Sequence, residues 1–159
     1  MKGPEQAFEL LVKEYKSTIY SICYMFAQNK AEADDLFQEA LINLWQGSCG
    51  FRGESSLKSW VYRVTLNTCI SYKRKKKITT VDIDIAPDAF SEESAEGRQT
   101  RMLHDRISQL GPMDRAIILL WLENMPYDEI GAIVGMNAKA IGVRLVRIKE
   151  KLKKISNPE

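Results

Sequence analysis

The 159-residue sequence predicts an all-α protein: two small helical domains joined by an acidic flexible linker, the C-terminal one with a helix-turn-helix. Three observations lead there. Apolar residues recur at three- and four-residue steps over most of the chain, the period of amphipathic helices. Residues Ile78 to Glu96 contain no Lys or Arg but hold Asp82, Asp84, Asp88, Glu92, Glu93 and Glu96, together with Pro87. That composition reads as a solvated linker. Beyond it, Tyr127–Val134, the turn Gly135-Met136-Asn137 and a long basic segment match a short helix, a tight turn and a second helix. The domains expected are 1–77 and 97–159, with 78–96 between them.

The elements follow in order. Phe8, Leu11, Val12, Tyr15, Ile19, Ile22, Cys23 and Phe26 mark a helix from Glu5 to about Gln28. Asn29 followed by Glu32 forms a capping box for a helix from Lys30 to about Gln46, buried along Leu36, Phe37, Ala40, Leu41, Leu44 and Trp45. Its polar side carries Asp34, Asp35, Gln38, Glu39 and Asn43. Acids near a helix start suit the dipole and a solvated face; the same acids suit a docking face for a protein partner.

Residues 47–54 are a glycine-rich break without the spacing of a nucleotide-phosphate loop. Ser55 or Ser56 caps the next helix, which begins near Leu57, packs Leu57, Trp60, Val61, Val64 and Ile70, and runs into the basic cluster Lys73-Arg74-Lys75-Lys76-Lys77. Lys58, Arg63, Asn67 and Lys73 are candidates for a shared exposed face, and Tyr62 and Tyr72 for base stacking, a combination suited to single-stranded nucleic acid.

In the C-terminal part, a helix from about Gly97 to Gln109 turns Met102, Leu103, Ile107 and Leu110 inward. Pro112 opens the next helix, Asn124-Met125-Pro126 ends it, and Asn137 caps the last. That last helix, Ala138 to Lys154, carries seven Lys and Arg against the single acid Glu150. Its stripe Ile141, Leu145, Ile148, Leu152 and Ile155 fits an intradomain core and also a short coiled coil. Arg144, Arg147, Lys151 and Lys154 make an adjacent basic face suited to duplex DNA.

Composition excludes several classes. The formal net charge is only +2, so its placement is more informative than its size. No apolar run reaches bilayer length, which argues against membrane insertion. Residues Met1 to Glu5 lack an apolar signal core, and Cys23, Cys49 and Cys69 form no disulfide or metal pattern, so a reducing cytoplasm is expected. His104 is the only histidine, and the carboxylates fit caps, linkers and faces. No catalytic residue, metal or cofactor is expected.

Two separated signatures carry a family resemblance. The first is Asp35-Leu36-Phe37-Gln38-Glu39 with Trp45, then Phe51-Arg52-Gly53-Glu54, Trp60 to Asn67 and the basic run. The second is Leu110 to Arg115, then Tyr127 to Gly131, Gly135-Met136-Asn137 and the basic helix. In this order they closely resemble regions 2 and 4 of bacterial RNA polymerase sigma factors of the sigma-70 family, extracytoplasmic-function (ECF) subfamily. The resemblance implies an alternative sigma factor that binds core RNA polymerase and directs promoter-specific initiation. Asp35, Gln38 and Glu39 would dock on the clamp helices of the beta-prime subunit. Phe51, Arg52, Lys58, Arg63, Asn67, Lys73 and Arg74 would engage the opened minus-10 element. Asn137, Lys139, Ala140, Val143, Arg144, Arg147 and Lys151 would contact the minus-35 element. An anti-sigma factor is a common further partner in such a family. A stand-alone helix-turn-helix regulator is the alternative function.

The sequence also departs from the family. Where members commonly carry Thr-Val-Lys-Ser, this chain has Ala140-Ile141-Gly142-Val143, and Ile148 stands where a small residue is frequent. Gly142 suits either a close backbone approach or a site that depends on backbone contacts and DNA shape.

Overall fold

The computed structural model describes residues 3–48, 56–79 and 95–156. Among these are seven α-helices and no strand. The chain divides into two compact units, 1–87 and 88–159. The stretch 80–94, which covers most of the expected linker, lies outside the described residues.

The first unit holds α1 (Pro4–Phe26), α2 (Lys30–Ser48) and α3 (Leu57–Thr79), each packed against the other two. Pro4 opens α1, where its missing N–H costs nothing. Leu11, Ile19, Ile22, Cys23 and Phe26 from α1 meet Ala33, Leu36, Ala40 and Leu44 from α2 and Val61, Leu66, Cys69 and Ile70 from α3. The α2 cap forms as its sequence suggests: the Glu32 N–H donates to Asn29 Oδ1 at 2.8 Å. The Glu32 carboxylate reaches one residue beyond the usual box and accepts from the Gln28 N–H at 3.3 Å. Of the two candidate serines, Ser56 caps α3, its Oγ accepting from the Ser59 N–H at 3.1 Å. Asn43 Nδ2 donates to Thr68 Oγ1 at 2.8 Å and ties α2 to α3.

Two aromatics differ from expectation. Trp45 is 38% exposed, its ring meeting Phe8 edge-on at 5.1 Å between centroids. An indole at the margin of a three-helix core covers apolar neighbours without being enclosed. Tyr62, a stacking candidate from sequence, is instead buried beside Val61.

The second unit holds α4 (Ala95–Ile107), α5 (Pro112–Leu122), α6 (Tyr127–Val134) and α7 (Ala138–Ser156). α7 packs on the other three. Ile141, Leu145 and Ile148 of α7 are buried with Ile107, Ile117, Leu120 and Ile130. These three are therefore used within the unit, while Leu152 and Ile155 farther along the same stripe are half-buried. In α4 the inward phase is Gly97, His104, Ile107 and the following Leu110, while Met102 and Leu103 are exposed. Met102 and Leu103 are the more apolar pair, but the steps from Gly97 to Ile107 fit the helical period better. Arg115, buried at the start of α5, donates through Nη2 to the Ser108 and Leu110 carbonyls at 2.8 and 2.9 Å. It thereby satisfies acceptors that the end of α4 would otherwise leave open.

The α6–α7 turn rests on two glycines. Gly135 adopts φ 83° and ends α6 in the left-handed region. The N–H groups of Gly135 and Met136 both donate to the Gly131 carbonyl, at 2.8 and 2.9 Å. This brings the turn so close that a Cβ on Gly131 would collide with the Met136 carbonyl oxygen. Gly142 is different: a Cβ there would make only ordinary contact with the Tyr127 ring, at 3.4 Å.

The two glycines should respond oppositely in thermal unfolding followed by circular dichroism. Gly131→Val is expected to destabilise by about 2–3 kcal/mol through forced displacement of the turn. Gly142→Ala is expected to stabilise by about 0.5–1 kcal/mol, the ordinary helix-propensity gain. A stabilising Gly131→Val would refute the close-approach account.

Candidate nucleic-acid interface and docking face

Three surfaces carry the candidate residues. On α2, Asp35, Gln38 and Glu39 are all exposed, at three- and four-residue steps that place them on one side. Asp34 is set apart from them: it is half-buried and accepts a hydrogen bond from Tyr20 Oη at 3.1 Å. Burial, and next the Asp34 hydrogen bond, push the Tyr20 phenol above its ordinary value, so it keeps the proton it donates. The Tyr20 ring meets Phe37 edge-on at 5.6 Å. These contacts orient α2 while its outer acids stay in solvent.

On α3 the candidate face is narrower than the sequence suggests. Half-buried Trp60 and Arg63 are followed by exposed Asn67, Ser71 and Arg74, a run of three- and four-residue steps along one side. Trp60 lies beside Gly47, where a Cβ would come within 3.3 Å of its ring. Lys58 and Lys73 leave this line, because five- and six-residue steps rotate them to other sides. Lys58 sits 5.9 Å from the Tyr62 ring centroid. Lys73 Nζ donates to the buried Glu32 carboxylate at 2.8 Å and is itself largely covered. The Glu32–Lys73 pair joins the start of α2 to the basic end of α3. Lys73 thus has a structural partner where the sequence suggested an exposed cation. Phe51 and Arg52 lie outside the described residues.

On α7, an open groove of about 690 Å³ is lined by Asp114, Met136, Ala140, Val143, Arg144, Arg147 and Lys151. Arg147, Lys151 and Lys139 are exposed. Arg144 is fixed from the side by α5: its Nε donates to Asp114 Oδ1 at 2.6 Å. Asn137 serves as a cap, its Oδ1 accepting from the Ala140 N–H at 2.8 Å. Lys149 points elsewhere, its Nζ 4.0 Å from the Trp121 ring centroid, a cation–π contact. Sequence reasoning missed Asp114 as Arg144's partner because the two lie thirty residues apart. It missed Arg115 because an arginine beside a helix boundary ordinarily faces water.

The arrangement offers cations, an amide, partly exposed aromatics and a basic groove, means of holding phosphate and bases. Among the described residues no group of His, Cys, Asp or Glu could hold a metal ion, and no helix is long and apolar enough to cross a membrane.

Comparison with known proteins finds two family regions along the chain. Sigma-70 region 2 matches residues 11–78, and Sigma-70, region 4 matches residues 100–152. The RNA polymerase sigma-H factor of Pseudomonas aeruginosa is 30% identical, across 99% of this chain and 90% of that protein. The ECF sigma factor SigW of Bacillus subtilis is 27% identical, across 96% and 90%. The ECF sigma-E factor of Escherichia coli is 28% identical, across 94% and 86%. Among solved structures, CnrH in complex with the cytosolic domain of CnrY gives a TM-score of 0.73 at 19% identity, covering 98% of this chain and 90% of that one. The sigma factor RpoE of Bartonella quintana, solved with the anti-sigma factor NepR, gives 0.72 at 18% identity, covering 96% and 98%. These two likenesses are of fold.

The chain belongs to the sigma-70 family of RNA polymerase sigma factors, in its extracytoplasmic-function group. It is an alternative sigma factor directing promoter-specific transcription. The stand-alone regulator is not favoured, since a region 2 match occupies residues 11–78.

The Lys73 and Arg74 pair separates structural from surface cations. Lys73→Ala is expected to destabilise the first unit by about 2 kcal/mol, since it leaves the Glu32 carboxylate buried without this partner. Arg74→Ala should change stability by less than about 0.5 kcal/mol. Chemical denaturation of the two variants decides it; equal stabilities would show that the ion pair carries no net weight.

Proposed function

We propose that the two units act at separate places on one initiation complex. The observation that carries this is the opposed character of their exposed surfaces: an acidic side on α2 and a basic groove on α7. Asp35, Gln38 and Glu39 dock on the clamp helices of the beta-prime subunit of core RNA polymerase. Arg63, Asn67 and Arg74, together with Phe51 and Arg52 earlier in the sequence, engage the opened minus-10 element. Lys58 lies off that line and contributes general charge. Lys139, Arg147 and Lys151 hold the minus-35 duplex, with Ala140, Val143 and Arg144 beside them and Asn137 placing the helix start.

The chain performs no covalent chemistry in this reading. Core polymerase makes the phosphodiester bonds, and the sigma factor lends it two linked contacts whose spacing selects the promoter. Two tethered contacts act at high effective concentration, so each can be weak alone. Bases held on α3 offset the cost of opening the duplex. The site of action is the cytoplasm, where chromosome and polymerase meet. The RpoE structure, a sigma factor solved with the anti-sigma factor NepR, supports an anti-sigma partner here as well.

Reconstitution with core polymerase and measurement of promoter-dependent open-complex formation test the whole reading; absence of stable core binding would sink it. Reversing the docking face with Gln38→Lys and Glu39→Lys should weaken core binding at least tenfold and leave thermal stability unchanged, because both residues are exposed. On the minus-35 duplex, Arg147→Ala should lower the slope of log affinity against log salt by about 0.9, the value of one phosphate contact. Arg144→Ala should lower it less, because the Asp114 carboxylate at 2.6 Å already offsets part of that charge. Equal slopes for the two variants would reject this assignment of the cations.

A further inference from the structure

We propose that α7 reads thymine through its 5-methyl group, with Val143 and Val146 as the contacts. The proposal rests on the reading of α7 as the minus-35 helix and specifies what that helix recognises. Val143 and Val146 are 50% and 57% exposed. Isolated exposed apolar residues are ordinary. These two are neighbours at i and i+3, on the side of α7 that faces away from buried Ile141, Leu145 and Ile148. That side is where a solvated basic helix would place polar groups, and valine is a poorer helix former than Lys, Glu or Ala.

The surroundings identify the occupant by charge. Val143 lines the groove together with Arg144, Arg147 and Lys151. Lys139 is exposed one turn earlier. An apolar pair framed by cations fits a polyanion that presents methyl groups between its phosphates. Duplex DNA does this in its major groove, where the thymine methyl is the apolar feature of an otherwise hydrogen-bonding edge.

Two further observations narrow the contact. Both valines lie in the first half of α7, and recognition helices reach bases with their N-terminal residues. Positions 140, 142, 143 and 146 are Ala, Gly, Val and Val, so these four positions, unlike Lys139, Arg144 and Arg147 between and beside them, offer no side-chain hydrogen bond to a base edge. Shape and methyl contact are what remain there. Valine suits the task, because its branched side chain is nearly fixed at χ1 and loses little freedom on contact. Exposed Glu150 lies one turn beyond Val146 and bounds the apolar strip.

The test uses holoenzyme reconstituted from core polymerase and the full chain. Preferred promoters are first selected from a duplex library randomised over the minus-35 element. In a selected promoter each minus-35 thymine is then replaced singly by deoxyuridine, which removes the methyl and preserves every hydrogen-bonding group. One or two positions are expected to lose about fourfold in affinity, the factor for burying one methyl-sized group. The Val143→Ser, Val146→Ser double variant is expected to lose that discrimination while keeping its fold by circular dichroism and its binding to core polymerase. Indifference to deoxyuridine at every position, or an equal penalty in the double variant, overturns the methyl reading and leaves the sigma assignment standing. A double variant that instead loses core binding places the valines against protein, and overturns it too. Failure to select any minus-35 sequence would remove the underlying assignment of α7, and this inference with it.

Discussion

The rotation of α7 about its own axis is the constraint on which the second unit depends. It is set by burial of Ile141, Leu145 and Ile148 against three neighbouring helices, and by the turn at Gly131 that brings α6 and α7 into contact. Burying three such side chains is worth roughly 1.5–3 kcal/mol each, well above any exposed ion pair on the same helix. A helix turned by one residue would hide Val143 and Arg147 and expose the core. Asp114 then fixes Arg144 at the edge of this surface, so that its guanidinium belongs as much to the α5–α7 junction as to the groove.

The first unit is organised by a comparable economy of polar contacts. Glu32 is almost wholly buried and serves the cap of α2, the preceding backbone and Lys73 near the basic end of α3. A buried carboxylate is costly unless it is satisfied, and here the Gln28 N–H and Lys73 Nζ both donate to it. The consequence is that the outer acids of α2 and the polar line of α3 are carried by helices whose mutual position is set from behind. Tyr20, held to Asp34 and packed against Phe37, does the same from α1.

Much of this was legible in the sequence, for physical reasons. Helix periods are short-range, so α1, α2, α3, α6 and α7 were placed within a few residues, and the Asn29, Ser56 and Asn137 caps follow from local chemistry. The turn at Gly135 was readable because few residues tolerate its backbone angle. What escaped depends on pairing across the chain. Lys73 looks like one more member of a cationic run until Glu32 is brought beside it, forty-one residues away. Arg144 looks unpartnered until α5 supplies Asp114. The phase of α4 is hidden in the sequence because Met102 and Leu103 are more apolar than His104, yet His104 lies on the packed side. Tyr62 is ambiguous in the sequence because aromatic rings suit cores and bases alike.

Gly142 and the valines beside it have a consequence for how such a factor diversifies. None of the three contributes to the buried stripe, and the ring of Tyr127 leaves ordinary room at Gly142. Substitutions there alter what the helix presents without disturbing what holds it in place. On the proposed reading of α7, promoter preference and thermodynamic stability are therefore nearly independent traits at Val143 and Val146. Under that proposal a lineage retunes its regulon through single codon changes at 143 or 146, and duplicated copies of the gene drift apart in target choice while both remain folded.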